Sequence, residues 1–449
     1  MDSLHYARAQ MGLSLAFHII FAAIGIGLPF LMVLSELAWR RTKDPEYLEL
    51  SKLLAKGTTI LFAVGAVSGT VLSFELGLLW PNFMGRFGDV IGLPFSLEGY
   101  AFFTEAIFLG IFLYGRDRVS PRVHVFSGVV VAVSGAASAF FVTLVNSFMN
   151  SPRGFEWVDG KVTNVDPLAA MFGGPWAQQV IHVLLSCYVA VAFAMAGVHA
   201  LMLLRNKHSS LHRKALRIAL PVAVVSGLLQ PLSGDRSAKE IAVEQPIKLA
   251  AAEGHYQTGR HVPLHLGGLP DDATATMPYA LELPSGLSWL AFGDPNAEVK
   301  GLTDFPRDQW PPVLATHVSF QVMVASGTAL GGVALLAVFL ALVRRRWLLS
   351  KPFLAALVAA SPLGFIAMEA GWHVTELGRQ PWIVRGYLRT GEGVTPFPHL
   401  YAPFWVFTIV YALLAVMVVV LLRRQILASA PPKEVRAEGK RPREERPAP

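Results

Sequence analysis

About nine apolar runs of membrane length recur along this 449-residue chain, at approximately 10–37, 53–79, 95–115, 122–148, 176–204, 215–232, 312–343, 352–377 and 401–423. A helix needs roughly 20 consecutive apolar residues to cross a bilayer's hydrocarbon core. Lipid offers no hydrogen bonds to backbone amides, so such runs must satisfy their own polar groups as helices. Only 15% of the residues are charged, against about 25% in a typical soluble domain. The expected fold class is therefore all-α: a polytopic transmembrane helical bundle of about nine spans, with one long periplasmic loop. The N-terminus shows no basic n-region and no small-residue cleavage site, so the first span is expected to be retained.

The formal net charge of +7 would suit a nucleic-acid binder, but the basic residues sit in short loops and the tail. Arg40, Arg41, Lys43 and Lys52 follow the first span, Arg116, Arg118 and Arg122 the third, Arg205, Lys207, Arg213 and Lys214 the fifth, and Arg344, Arg345, Arg346 and Lys351 the seventh. The positive-inside rule puts these loops in the cytoplasm. The expected partner is a lipid bilayer, not nucleic acid, with the N-terminus periplasmic and the C-terminus cytoplasmic in a bacterial inner membrane. The chain then divides into helices over 1–232, an outer loop over 233–311, helices over 312–424 and a disordered, Pro-rich cytoplasmic tail over 425–449. Cys187 is the only cysteine, which excludes an internal disulfide and a cysteine-held cluster.

Polar residues inside the runs point to chemistry. A carboxylate in lipid is costly and is normally retained for an ion, a proton or a metal. Glu369 is such a residue, as are Glu98 and Glu105, seven positions apart and so on nearly one helix face. With Ser138 and Asn146 on the next span they suggest a proton relay. His182 and Met323 fall at comparable depth on different spans, and an imidazole with a thioether is an axial pair for low-spin haem. Packed core side chains are the bland alternative. His18 and Glu369 fit single axial ligands that leave a metal face open for oxygen. Arg379 and Trp382, just past the eighth span, suit a haem propionate or an interfacial anchor. His317 and the other histidines show no partner in sequence.

Longer motifs carry a resemblance. Glu369-Ala-Gly-Trp372 followed by Gly378-Arg-Gln-Pro-Trp382, with Gly88–Gly99, Ser319-Phe-Gln-Val-Met-Val324 and Lys248-Leu-Ala-Ala-Ala-Glu253, resembles subunit I of the cytochrome bd-type quinol oxidases over nearly the whole chain. The resemblance implies that His182 and Met323 hold a low-spin haem b. It implies that His18 and Glu369 hold two high-spin haems, a haem b and a haem d, or haem b in place of the latter. Glu98 and Glu105, with Ser138 and Asn146, match that family's proton path. Lys248 and Glu253 match its quinol-binding residues, making the outer segment a short quinol loop. The implied activity is oxidation of quinol and reduction of O2 to water, generating a proton gradient by charge separation without pumping. The implied partners are subunit II and a small single-span subunit.

Three departures stand out. Gln321 occupies a position where Arg is frequent, Phe365 one where Trp is frequent, and the Glu98–Glu105 interval is one residue shorter. Two rival classes share some of these features: an intramembrane ion or proton transporter, and a haem-b electron carrier without oxygen reduction. The first has no need of His182 and Met323 at matching depth; the second has no need of an open metal face.

Overall fold

The computed structural model describes residues 3–428. In chain order the helices and strands are α1 (Ser3–Thr42), α2 (Pro45–Leu79), α3 (Pro81–Tyr114), α4 (Pro121–Asn150), β1 (Glu156–Val158), β2 (Lys161–Thr163), α5 (Pro167–Phe172), α6 (Trp176–Arg205), α7 (Ser210–Glu244), α8 (Pro246–Glu253), β3 (Leu264–Gly267), β4 (Ala280–Leu283), α9 (Gly286–Phe292), α10 (Val313–Val343), α11 (Lys351–Ala360), α12 (Leu363–Leu377), β5 (Trp382–Val384), β6 (Leu388–Arg389), α13 (Thr390–Gly393) and α14 (Tyr401–Ala428). Among the described residues, nine spans are long and apolar enough to cross a membrane, α11 and α12 together counting as one. The three small sheets are antiparallel hairpins.

Helix starts follow local chemistry. Proline opens α2, α3 and α4 at the first helical position, where a missing N–H costs nothing. Asp44, Ser120 and Ser209 cap exposed amides of α2, α4 and α7. Small residues set the closest approaches between spans, as expected where lipid removes the hydrophobic drive for helix association. A Cβ at Gly364 of α12 would lie 2.4 Å from the Ala190 Cα of α6, and one at Gly27 of α1 would lie 2.6 Å from the Val191 Cβ. The main core joins α1, α6, α7, α10 and α11 through Met32, Val191, Phe193, Ala219, Ala334 and Leu357.

Charges gather at the two ends of the bundle. At one end the buried Glu36 of α1 accepts hydrogen bonds from Arg40 (2.9 Å), Arg116 (3.0 Å) and Ser51 (3.0 Å), with His124 Nδ1 at 3.3 Å. Lys214 of α7 pairs there with Asp44 and Glu46. The basic inter-span loops after the first and third spans thus lie together. At the other end Arg153 pairs with Glu244 at 3.0 Å.

The structure differs from the sequence expectation in three places. The sixth span does not stop at 232, because α7 runs on to Glu244. Ion pairs four residues apart, Asp235–Lys239 and Arg236–Glu240, support those extra turns outside the apolar run. The segment between the sixth and seventh spans therefore begins near 245 and is folded, with small cores around Leu249, Val262 and Leu287 and around Ala251, Tyr256 and Leu302. The eighth span is broken at Ser361-Pro362, where proline interrupts the backbone ladder. The tail expected from 425 onward begins inside α14, and 429–449 lie outside the described residues.

Candidate active site

Three groups of side chains make up the site. The first lies between α3, α4 and α1. Ser138 Oγ donates to Glu98 Oε1 at 2.8 Å. Glu105, two turns further along α3, is buried, and its Oε1 has no partner. Gly135 of α4 gives this carboxylate room: a Cβ there would stand 3.5 Å from Glu105 Oε2 and 3.1 Å from the Gly25 carbonyl oxygen of α1. Asn146 does not join this group. Its side chain lies two turns beyond Ser138 and bonds Gln179 (3.3 Å), Asn150 (3.2 Å) and Arg379 (3.4 Å).

The second group contains the possible metal donors. His18 Nδ1 lies 2.9 Å from Ser68 Oγ. A Cβ at Gly69 would come within 3.0 Å of the His18 ring. His182 Nδ1 lies 3.2 Å from Ser233 Oγ, and the Gln230 amide nitrogen lies 3.2 Å from His182 Nε2. Met323 packs on α12, where a Cβ at Gly371 would sit 3.1 Å from its sulfur. Glu369, also on α12, keeps a buried Oε1 without a partner.

The third group lies at the loop end. Lys248 and Glu253 are both buried in α8. The Lys248 amine donates to Asn150 Oδ1 at the end of α4. Burial, and then the charge of Arg379, hold that amine well below the usual lysine range. Both Glu253 oxygens are buried and unpartnered, and burial pushes its carboxyl up to about 8. His255, whose Nε2 is also buried without a partner, is pulled down to about 4 by burial. Arg379 is buried, pairs with Glu376 and reaches Asn146. Trp382 stands apart from that network, with the Arg389 guanidinium 5.0 Å from its ring centre.

Several residues here escape sequence reasoning. His317 is fully buried, with Nδ1 2.8 Å from the Ala252 carbonyl oxygen and Nε2 3.1 Å from that of Gly267. A carbonyl only accepts, so making both bonds requires a hydrogen on each ring nitrogen. Gln321 bonds the hairpin as well, donating to the His265 carbonyl (3.0 Å) and accepting from the Gly267 amide (3.1 Å). Gln321, which stands where Arg is frequent in the family, thus ties α10 to β3. Glu36 and Glu75 are further carboxylates within spans. Glu75 accepts from Gln10 and Ser14, each at 2.9 Å. Their acidity inside apolar runs was the available signal.

The family model for cytochrome bd terminal oxidase subunit I matches residues 6–430. The chain belongs to the cytochrome bd terminal oxidase subunit I family. It is 39% identical to a Bacillus subtilis (strain 168) protein named as a cytochrome bd menaquinol oxidase subunit I, over 94% of this chain and 96% of that one. It is 32% identical to the cytochrome bd ubiquinol oxidase subunit 1 of the same organism, over 96% and 95% of the two chains. The solved bd oxidase from Geobacillus thermodenitrificans superposes with a TM-score of 0.90 at 41% identity, covering 95% of this chain and 99% of that one.

A cytochrome bd subunit implies haem, and the donors present fit it. Among the described residues, no three His, Cys, Asp or Glu side chains converge as for a free metal ion. Haem asks less of the protein, because the porphyrin fills four positions around iron and leaves only axial ones. Glu369 Oε1 is a buried donor atom without a protein partner, as an axial ligand requires.

Proposed function

We propose that this chain is the haem-bearing subunit of a respiratory terminal oxidase that oxidises quinol and reduces O2 to water, working with a subunit II. The observation that carries the reading is Glu369: a carboxylate buried in a membrane-spanning helix, one oxygen of which no protein group satisfies. His182 and Met323 would hold a low-spin haem, and His18 and Glu369 the two high-spin haems, with Arg379 near a propionate. Bound haem would supply one-electron transfer and an open iron face for oxygen. The names of the relatives include both menaquinol and ubiquinol, so the substrate class is quinol.

The protein's own residues do the rest. Quinol docks against α8, where Glu253 is a buried carboxylate with both oxygens free to accept a hydroxyl proton and Lys248 is a positioned amine. We assign the basic end of the bundle to the cytoplasm by the positive-inside rule. The N-terminus and the folded loop then face outward, with the C-terminus inside. Glu105 and Glu98 hold protons on their way from the basic end, with Ser138 orienting the Glu98 carboxylate. Protons released outside and consumed from inside separate charge across the membrane with no pumping element.

A pyridine haemochrome assay and oxygen uptake with a quinol test this on the assembled oxidase. Haem content together with quinol-dependent, Glu369-dependent oxygen uptake is the expected result. Protein without haem would mean a transporter, and haem without oxygen uptake an electron carrier.

A further inference from the structure

Lys248 is the buried amine of α8, and what holds it is not a carboxylate. Among the described residues, no acidic side chain lies within ion-pair distance of its amine, and Glu376 nearby is engaged by Arg379. The partner is Asn150, the last residue of α4, 98 positions earlier in the chain and itself buried. The stem of Lys248 lies across Gly378, where a Cβ would come within 2.7 Å of the Lys248 Cγ. The amine is thus steered onto one acceptor.

The other half of the Asn150 amide is also used. Its Nδ2 donates to the Asn146 carbonyl oxygen (2.9 Å) and to Asn146 Oδ1 (3.2 Å). Asn146 Oδ1 in turn accepts from Arg379 Nη1 at 3.4 Å. Turned over, the amide would set its oxygen against the two Asn146 oxygens, which only accept, so Nδ2 must face Asn146 and Oδ1 must face Lys248. One amide therefore joins the loop amine to the arginine that follows α12.

We propose that Asn150 is a positioning residue for quinol oxidation, fixing the Lys248 amine through Oδ1 and coupling it through Asn146 to Arg379. This rests on the quinol-site reading of Lys248 above. A buried amine that loses its acceptor must turn to find another, because an unpaired buried donor is costly. Asn150 therefore sets where the amine meets the quinol oxygen, without touching quinol itself.

The test uses the assembled oxidase, a soluble short-chain quinol and oxygen uptake, with the haem absorbance spectrum as the measure of intact assembly. Asn150→Ala is expected to raise KM for quinol about tenfold with kcat within about twofold, the mark of lost binding common to ground and transition states. Asn150→Asp keeps an acceptor oxygen for Lys248 but loses the donation to Asn146, so its KM should fall between those of the parent and the alanine variant. In the double variant with Lys248→Ala, the Asn150→Ala effect should disappear, because the two residues act as one unit. An unchanged KM in Asn150→Ala, multiplying effects in the double variant, or an Asn150→Asp as impaired as the alanine would each overturn the role of Asn150. If Lys248→Ala itself behaves as the parent, the quinol-site reading fails and Asn150 falls with it. If Lys248→Ala is impaired while Asn150→Ala is normal, only the Asn150 proposal fails. Should Asn150→Ala not assemble, Asn150→Gln carries the same test, since its amide is displaced by one methylene: a parental KM there would likewise refute it.

Discussion

The Ser138 hydroxyl and the Glu98 carboxylate meet at 2.8 Å across the α3–α4 interface, both within membrane-spanning helices. One hydroxyl thereby fixes the direction of a carboxylate that has little else to hold it. Removing a hydrogen bond of this kind costs about 1 kcal/mol, so Ser138→Ala is expected to slow quinol-driven oxygen uptake about fivefold by the relation of 1.4 kcal/mol to a factor of ten. Glu98→Gln removes the proposed proton carrier and should cost about a hundredfold, the lower end of general acid–base contributions. Steady-state oxygen electrode rates check both, and a Ser138→Ala slower than Glu98→Gln would contradict the order.

The Glu253 carboxyl is raised to about 8 by burial. Its neutral form predominates below that pH, and only the carboxylate can accept a proton from quinol. Oxygen uptake at saturating quinol is therefore expected to rise with pH through about 8, and Glu253→Gln should abolish that limb. The same shift acts on the fold with the opposite slope. The unfolded chain loses this proton near its ordinary value while the folded chain keeps it to about 8. Stability falls as pH climbs across that window and levels off above it. A rate profile between pH 6 and 9 on parent and variant decides the first point.

Met323 and Glu369 lie on different helices, and their losses should be separable. Met323→Ala is expected to remove the low-spin haem band from the reduced-minus-oxidised spectrum. Glu369→Ala should spare that band, diminish a high-spin signal and abolish oxygen reduction. Identical spectra from the two variants would count against separate haem ligands.

Gly364 and Gly332 offer a packing test. A Cβ at Gly364 would stand 2.4 Å from a backbone carbon of α6, whereas one at Gly332 of α10 meets nothing within 4 Å. Overpacking typically costs about 1–3 kcal/mol, so Gly364→Ala should lower Tm by several degrees and Gly332→Ala should not. Thermal unfolding in detergent reads the difference.

The Gly267 amide donates to Gln321 Oε1, and the Gly267 carbonyl oxygen lies 3.1 Å from His317 Nε2. Gln321→Ala should speed hydrogen exchange at Gly267, and His317→Ala should do so along α8 and β3 while leaving the spans protected. Mass-spectrometric exchange on the oxidase in detergent measures both.

The nine spans were legible because hydropathy over twenty residues is a strong and local signal. Where polarity and secondary structure part company, the sequence misleads: α7 continues through Asp235, Arg236, Lys239 and Glu240, which read as loop but pair along a helix. Pro362 carried the signal for the break in the eighth span, yet the apolar run on either side concealed it. The Ser138–Glu98 contact was within reach of spacing arguments. The group formed by Lys248, Asn150, Asn146 and Arg379 was not, because residues from three distant parts of the chain meet only after the helices pack. Gln321 shows the limit of reasoning from a single substitution: an absent positive charge was visible, but the hairpin that its amide grips was not.

The folding of the segment between the sixth and seventh spans has a consequence for how quinol would enter under the proposed function. With α8 anchored to α4 by Lys248, to α10 by His317, and backed by its own small core, little chain remains to be ordered when a headgroup arrives. Association then involves a rigid receptor, so the entropy loss that a disordered lid would impose at every turnover has already been met during folding. Discrimination among quinols in such a receptor falls to the shape and acidity of the ring rather than to closure around it.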